Sequence, residues 1–374
     1  MTRREKFLHY VKTGFTEPGA EKRVICSPQI GANAGYDAKL AGKIYTGEAT
    51  FSDTMAAVSR YDMLPLYNVW IGSLAHYDPW VTDVSTRTDT MKEYSSHCDT
   101  PYGTMYRHGF EYPYKGGGTL VYAVNSVEDL DKLEYILDMA MSEGDFSHYT
   151  KIARDYSAFF GDDGPVSLQW EMAPYAMLSY PSIATTAMLP YDDEKRYYRL
   201  MDKIEALDMR IIDAIVGTGI DFIVLGSHGS EIISPRYYDD YIMPYAIRLA
   251  DYAHEKGFMI YNHSCGLIEP MLTMGYFNRM GIDLFETISP QPEGNIITFE
   301  DALSKLDPDI CTRGNVSLTL LLNGSPEDVK KEVFSIMKAA EGRKHFVAAS
   351  DYLMYDVPEA NVIAMCEAVE EYYK

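Results

Sequence analysis

Eight short apolar stretches, separated by segments with helical periodicity, constrain the fold of this 374-residue chain more than any other feature. From the third stretch onward the apolar residues run almost without interruption, as they do in parallel strands that are covered on both faces. Eight alternating strand and helix units predict an α/β fold, a (β/α)8 TIM barrel that forms a single domain over residues 1–374. The predicted strands are 23–30, 60–66, 165–172, 221–227, 258–265, 282–288, 309–316 and 345–350.

One segment, at about 71–118, does not fit this alternation. It is rich in Tyr, Thr, His and Gly, and we predict a long insertion after the second strand that contains antiparallel strands. Two interpretations of the insertion stay open. It is either a lid over a site at the strand ends or a surface hairpin without contact to substrate.

The charge of the chain restricts its partners. The formal net charge of -22 opposes binding to nucleic acid and to anionic membranes, so we expect small molecules or proteins as partners. No apolar run approaches the roughly 20 residues of a membrane span, and the first residues lack the apolar core of a secretory signal. The five cysteines are widely spread and do not form a disulfide framework. We therefore expect a cytoplasmic protein with reduced thiols.

Polar side chains gather at the predicted carboxyl ends of the strands, where TIM barrels carry their chemistry. We assign Gln29, Asn33, Gln169 and Glu171 to substrate binding. A second group, assigned to catalysis or to positioning of the substrate, contains Asp62, His228 and Asn315.

The stretch "YNHSCG" places His263 and Cys265 two residues apart at a strand end. Residues at i and i+2 of an extended chain project to the same side, so an imidazole nitrogen and a thiolate can reach one ion, and zinc suits this pair. Two ligands are one fewer than a catalytic zinc site needs. The remaining candidates are Glu231, Glu286, Asp351, Glu171 and His228. The alternative interpretation is that "YNHSCG" is only the end of a buried strand.

The order of several motifs resembles the uroporphyrinogen decarboxylase superfamily along nearly the whole chain outside the insertion. These motifs are "RREKFLHYV", "RYDMLPL" with Asp62, "GTGIDFIVLGSHGSEIISPRYYDDYIMPYAIRL", "NHSCG", "MGIDLFE", "RGNVS" and "DVPEANVIAMCEAV". Decarboxylases of the family carry an arginine-containing segment after the first strand, which holds the carboxylates of the substrate. Here that stretch reads "SPQIGANAGYDAKLAGK" and has no arginine, which argues against decarboxylation of a polyanionic porphyrinogen.

The other branch of the family, the cobamide (corrinoid)-dependent methyltransferases, binds zinc through His-x-Cys and a later cysteine near the last strand. His263 and Cys265 match the first two of these positions, whereas the later position reads Ala349-Ser350-Asp351. Either Asp351 or another carboxylate, Glu231 or Glu286, replaces that cysteine, or the metal is absent. An oxygen ligand makes the site harder and suits polarisation of an ether oxygen.

The resemblance thus implies a zinc-dependent methyltransferase that moves a methyl group between a small substrate and the cobalt of a separate corrinoid protein. The substrate is a methoxylated compound that is O-demethylated, or a thiol such as coenzyme M. Two alternatives stay open, a metal-free lyase centred on Asp62 and a non-catalytic barrel that binds a tetrapyrrole or corrinoid. The resemblance also implies a homodimer.

Overall fold

The computed structural model describes residues 1–31, 34–43, 49–61, 63–72, 77, 79–88, 91–112, 116–173, 181–226 and 229–374. Eight parallel strands form one sheet in the order β1-β12-β11-β10-β9-β8-β7-β2. Strands that follow one another in the chain from β7 to β12 are therefore neighbours, and the predicted (β/α)8 barrel fold is confirmed. The strands are β1 (Ile25–Cys26), β2 (Tyr67–Trp70), β7 (Val166–Gln169), β8 (Phe222–Val224), β9 (Met259–Ser264), β10 (Leu284–Thr287), β11 (Cys311–Val316) and β12 (His345–Ala349).

The second predicted strand, 60–66, is wrong in position. β2 begins only at Tyr67, where the Tyr67 amide donates to the Pro165 carbonyl at 3.0 Å and pairing with β7 starts. Pro65 has no amide hydrogen for a strand ladder. The apolar residues Met63 and Leu66 are buried without belonging to a strand.

The barrel interior is filled at its amino-terminal end by side chains from nearly all of its strands. Phe222, Tyr261, Leu284, Cys311 and Phe346 form one buried cluster there. Helix α1 (Arg3–Thr13) covers this end, and the Phe7 ring stacks on Phe346 with ring centroids 4.6 Å apart. The carboxyl ends of the strands are left to form the site.

The two edge strands of the sheet, β1 and β2, are connected by a side chain. The Ser27 hydroxyl, directly after β1, donates to the Leu64 carbonyl before β2 at 2.7 Å. The described residues record no backbone ladder between these two strands. This bond therefore helps to close the ring at the junction of its first two strands.

The helices pack around the sheet and begin where the sequence places caps. Ser325 accepts from the Asp328 amide at the start of its helix, and Ser234 accepts from the Tyr237 amide. The helix after Ser234 contains a π-helical turn, Tyr238–Ile242, just before Pro244. The other helices are α2 (Tyr36–Leu40), α3 (Phe51–Ser59), α4 (Leu130–Glu143), α5 (Phe146–Phe160), α6 (Ile183–Asp192), α7 (Glu194–Ile215), α8 (Pro235–Tyr237), α9 (Met243–Glu255), α10 (Glu269–Thr273), α11 (Tyr276–Arg279), α12 (Phe299–Ser304), α13 (Leu318–Asn323), α14 (Pro326–Ala339) and α15 (Glu359–Glu371).

Between β2 and β7 the chain forms a separate four-stranded antiparallel sheet in the order β3-β4-β5-β6. Its strands are β3 (Val81–Thr88), β4 (Met91–Thr100), β5 (Gly103–Tyr112) and β6 (Gly116–Val121). Ser96, Cys98 and Met105 are buried on one face. The Lys132 ammonium of α4 donates to the Thr104 carbonyl at 3.3 Å, which joins the sheet to that helix.

Among the described residues, no helix combines the length and the apolar character needed to cross a bilayer.

Candidate metal centre

Three potential metal ligands converge at the carboxyl-terminal mouth of the barrel. His263 is the penultimate residue of β9, Cys265 follows that strand, and Asp351 follows β12. One ligand atom from each residue lies within 4.8 Å of the others. The His263 and Asp351 side chains are 22% and 37% exposed, so solvent reaches the cluster. Because β9 and β12 are not neighbours in the sheet, the cluster depends on the closed barrel.

The imidazole of His263 is oriented by a buried carboxylate. Glu286 on β10 is the register partner of His263, and its Oε1 lies 2.9 Å from Nδ1 of the imidazole. A proton on Nδ1 leaves the lone pair on Nε2, which lies 4.0 Å from Oδ1 of Asp351. This tautomer, assigned from the hydrogen-bond network, is the one that metal-binding histidines with a supporting carboxylate adopt.

Glu286 is fully buried and has further partners. The Arg313 guanidinium donates to its Oε2 at 3.3 Å, and the Tyr261 hydroxyl donates to its Oε1. Burial raises the pKa of Glu286 to about 7, although Arg313 opposes this rise. Arg313 is itself held by the carbonyls of Ser27 and Pro28, at 3.0 and 3.2 Å. Both oxygens of the Glu286 carboxylate thus have hydrogen-bond partners inside the barrel, His263 and Tyr261 at Oε1 and Arg313 at Oε2.

Burial keeps the two candidate soft ligands uncharged in the protein alone. It lowers the pKa of His263, with Asp351 opposing the shift. It raises the pKa of the Cys265 thiol to about 11, and the nearby charges of Asp351 and Glu231 add to this rise. A divalent cation bound here would leave the imidazole neutral, since it coordinates the nitrogen lone pair, but would make the coordinating thiol lose its proton.

Glu231, another candidate ligand, connects two loops. Its Oε2 accepts from the Leu267 amide at 2.8 Å. Its carboxylate also lies where a side chain on Gly266 would be, and Gly266 has a positive φ of 82°. The Glu231 carboxylate thus ties the segment after β8 to the segment after β9.

Two buried amides face the interior with unpaired atoms. Gln29 is fully buried, and neither of its amide atoms has a hydrogen bond of normal geometry to the part of the chain that the structure describes, although its amide lowers the pKa of Glu286. Asn315 donates to the Ile288 carbonyl at 3.0 Å, while its Oδ1 has no partner among the same residues. Buried polar atoms without partners are costly, so a polar ligand fits here.

The other residues predicted from sequence have different placements. Gln169 at the end of β7 accepts from the Asn68 amide at 2.7 Å, and Glu171 is half-buried just beyond it. Asn33, Asp62 and His228 lie outside the described residues.

The sequence interpretation missed Arg313, Tyr261 and Tyr352. The Tyr352 ring lies 6.1 Å from the His263 ring, between centroids, and burial raises the pKa of its hydroxyl. A usable signal existed for Arg313, because it is a charged residue inside the apolar stretch "DICTRGNV". Such a residue must be paired when its strand is buried on both faces.

Comparisons with known proteins agree with this architecture. The family model described as uroporphyrinogen decarboxylase (URO-D) matches residues 108–372. A uroporphyrinogen decarboxylase from Prochlorococcus marinus (strain NATL1A) is 21% identical over 212 residues, 55% of this chain and 56% of that protein. One from Geobacter metallireducens is 24% identical over 190 residues, 50% of this chain and 52% of that protein. The chain thus matches about half the length of these curated relatives.

Among solved structures, a methyltransferase from Methanosarcina mazei has a TM-score of 0.67 at 14% identity, with complete coverage of both chains. The fold is a β/α barrel, and the candidate ligand cluster lies at the carboxyl ends of its strands. The chain belongs to the uroporphyrinogen decarboxylase family, as the match over residues 108–372 shows.

Proposed function

We propose that this protein is a zinc-dependent methyltransferase that exchanges a methyl group between a small substrate and a corrinoid carried by a partner protein. The observation that carries the proposal is the approach of His263, Cys265 and Asp351 to within 4.8 Å of one another, with Nδ1 of His263 held by Glu286. The fold shared with the Methanosarcina mazei methyltransferase over both complete chains supports it.

The donor set fits zinc. It offers imidazole nitrogen, thiolate sulfur and carboxylate oxygen, and three protein ligands are typical of a catalytic zinc site with an open position. His263, Cys265 and Asp351 would hold the ion, while Glu286 would orient His263 from behind. Bound there, zinc would supply Lewis acidity toward an ether oxygen or stabilise a thiol acceptor in its thiolate form.

The surrounding residues would bind and orient the substrate. Gln29 and Asn315 offer buried polar atoms without hydrogen bonds of normal geometry to the described residues, and Gln169 lies at the carboxyl end of β7. Asp62 and His228 remain proposed as groups that position substrate or move a proton. An ether substrate would give up its methyl group to the corrinoid of the partner protein, and its leaving oxygen would take up a proton. A methoxylated compound suits the oxygen ligand of this site better than a thiol does.

Metal analysis of tag-free protein tests this proposal. The wild type should contain about one zinc per chain, in line with a single three-ligand catalytic site. Cys265→Ala should lose both the zinc and the methylation of free cob(I)alamin by methoxylated aromatic compounds. Cys366→Ala, kept reduced, is the matched control because Cys366 lies outside the cluster. Metal-free wild type, or full zinc in Cys265→Ala, would refute the proposed centre.

The family match favours a second candidate, a lyase, for which we propose Asp62 as the central residue although Asp62 precedes the matched segment 108–372. The curated relatives are uroporphyrinogen decarboxylases, and the matched segment includes β7 to β12. Arg313, a buried cation near the site, is already paired with Glu286 and is not free to hold a substrate carboxylate. This candidate requires that Asp62→Asn abolish turnover while Cys265→Ala retains it.

A further inference from the structure

Two thiols from distant parts of the chain meet on the side of the barrel. Cys26 ends β1 and Cys366 lies in α15, and their sulfur atoms are 3.4 Å apart. Both thiols are partly accessible and line a cavity of about 800 Å³. Cys98 and Cys311, in contrast, are buried. The pair is therefore placed both to react with a small molecule and to react with each other.

We propose that Cys26 and Cys366 form a covalent modification site, which low-molecular-weight disulfides of the glutathione type convert to an intrachain disulfide. In the first step the Cys366 thiolate attacks the small disulfide and releases one thiolate, which leaves a mixed disulfide on Cys366. The Cys26 thiolate then attacks that sulfur and releases the second small thiolate. The two protein thiols are oxidised by two electrons, the small disulfide is reduced to two thiols, and the protons move from protein to product.

The environment of Cys26 favours this order. The hydrogen bond to Cys366 and burial raise the pKa of Cys26, so Cys26 loses its proton less readily than a free thiol. We therefore assign the first attack to Cys366, and Cys26, with its sulfur 3.4 Å away, resolves the mixed disulfide.

The cavity has room for a small peptide thiol. Its lining includes Lys374 and the carboxylates of Glu367, Glu370 and Glu371. Arg3 and Lys6 also line it, but Arg3 pairs with Asp163 at 2.8 Å and Lys6 with Glu17 at 3.8 Å, so the Lys374 ammonium is the partner we assign to a carboxylate of a glutathionyl group. The volume of about 800 Å³ lies within the range of small-molecule sites.

The modification would reach the metal centre through Arg313. The residues after Cys26 supply the Ser27 and Pro28 carbonyls that hold Arg313, and Arg313 pairs with Glu286, which orients His263. The two sulfur atoms must approach from 3.4 Å to the roughly 2.05 Å of a disulfide bond, which draws the end of β1 and α15 together. This effect on the metal centre rests on the proposed function, whereas the cross-link does not.

Peptide mapping of the full-length protein after incubation with oxidised glutathione tests the cross-link. We expect a Cys26–Cys366 peptide, reversed by dithiothreitol, in the wild type and also in Cys265→Ser. Cys26→Ser should stop at glutathionylated Cys366, while Cys366→Ser should form neither product. Alkylation of free Cys26 and Cys366 in the treated wild type, with no linked peptide, would overturn the proposal, and this result does not depend on how any variant folds.

Zinc affinity, measured by competition with a chromophoric chelator, tests the effect on the metal centre. The oxidised wild type should bind zinc several-fold more weakly than the reduced protein, and oxidant should not change the affinity of Cys366→Ser. Equal affinity in the two forms of the wild type would overturn the coupling. Absence of zinc binding in the reduced protein would instead refute the proposed function and leave the cross-link standing.

Discussion

The Glu286 carboxylate and the Nδ1 atom of His263 lie 2.9 Å apart, on register partners of adjacent parallel strands. Both side chains therefore point to the same side of the sheet, into the barrel. The fully buried Glu286 holds one nitrogen of the ring and leaves the other for the group formed by Cys265 and Asp351.

This relationship predicts two separate effects of Glu286→Gln. Zinc affinity should fall about 10- to 100-fold, as is typical when a carboxylate that supports a ligating histidine is lost. The free energy of unfolding should fall by about 3–5 kcal/mol, because Arg313 would remain buried without its counter-charge. Chelator competition and urea unfolding measure these effects independently.

The double variant Glu286→Gln/Arg313→Met is the control for the stability effect. Removal of the unpaired cation should restore part of the lost stability but not the zinc affinity. If the double variant recovers both zinc affinity and the free energy of unfolding, the loss of zinc affinity in Glu286→Gln comes from lost stability and not from a lost contact with His263.

The third ligand can be identified by comparing two carboxylates. Asp351→Ala should lose most of the bound zinc, whereas Glu231→Ala should retain it, because the Glu231 carboxylate is engaged by the Leu267 amide. Zinc content and circular dichroism of both variants, purified in parallel, check this. The opposite pattern would make Glu231 the ligand and Asp351 dispensable.

His345 predicts an acid-sensitive contribution to stability. Burial lowers its pKa to about 3 in the folded protein, from an unfolded value of 6.5. The neutral form therefore stabilises the fold above pH 6.5, and this contribution is lost as the pH falls from 6.5 toward 3. Between pH 7 and pH 5 the loss should amount to about 2 kcal/mol.

Urea unfolding of wild type and His345→Gln at these two pH values measures the His345 contribution. The Thr312 hydroxyl lies 2.9 Å from Nδ1 of His345, so the substitution will lower stability at neutral pH as well. Only the pH-dependent difference is diagnostic. An equal loss in both proteins on acidification would show that other groups cause it.

A substitution of Phe7 would measure how much the packing of α1 against the end of the barrel contributes to the free energy of unfolding. The ring is fully buried and stacks on Phe346 at 4.6 Å between centroids. Phe7→Ala should lower the free energy of unfolding by about 3–5 kcal/mol, as large cavities in cores do. Lys12→Ala, at an exposed position of the same helix, should change it by less than about 0.5 kcal/mol. Similar urea midpoints for the two variants would refute this role for Phe7.

The strands from β7 onward could be predicted from sequence because both of their faces are covered. Their apolar stretches, such as 258–265, enclose the observed Met259–Ser264. The strand predicted at 60–66 is wrong because Met63 and Leu66 pack into the core without pairing. Pro65 has no amide hydrogen for a ladder, and strand pairing begins only at Tyr67. Burial alone does not distinguish a packed loop from a strand.

The candidate ligands could be identified from sequence, but their roles could not. His263 and Cys265 are close in the chain, so their common direction follows from strand geometry. The approach of Asp351 depends on the curvature of the whole ring, and the pairing of Glu286 with Arg313 joins two strands 27 residues apart in sequence. The pattern of apolar residues along one strand does not predict which side chains of other strands lie close to it.

The Ser27 to Leu64 bond has a consequence for how the ring opens. Seven of the eight junctions between neighbouring barrel strands are closed by backbone ladders, whereas the described structure joins β1 to β2 through this side chain. Amide protons beside that junction should exchange with deuterium before those of β9 to β11, because breaking one hydroxyl contact exposes an edge at lower free energy than breaking a ladder. The barrel should therefore open first at the junction of β1 and β2, and its slowest-exchanging amide protons should lie in β9 to β11, on the opposite side of the ring.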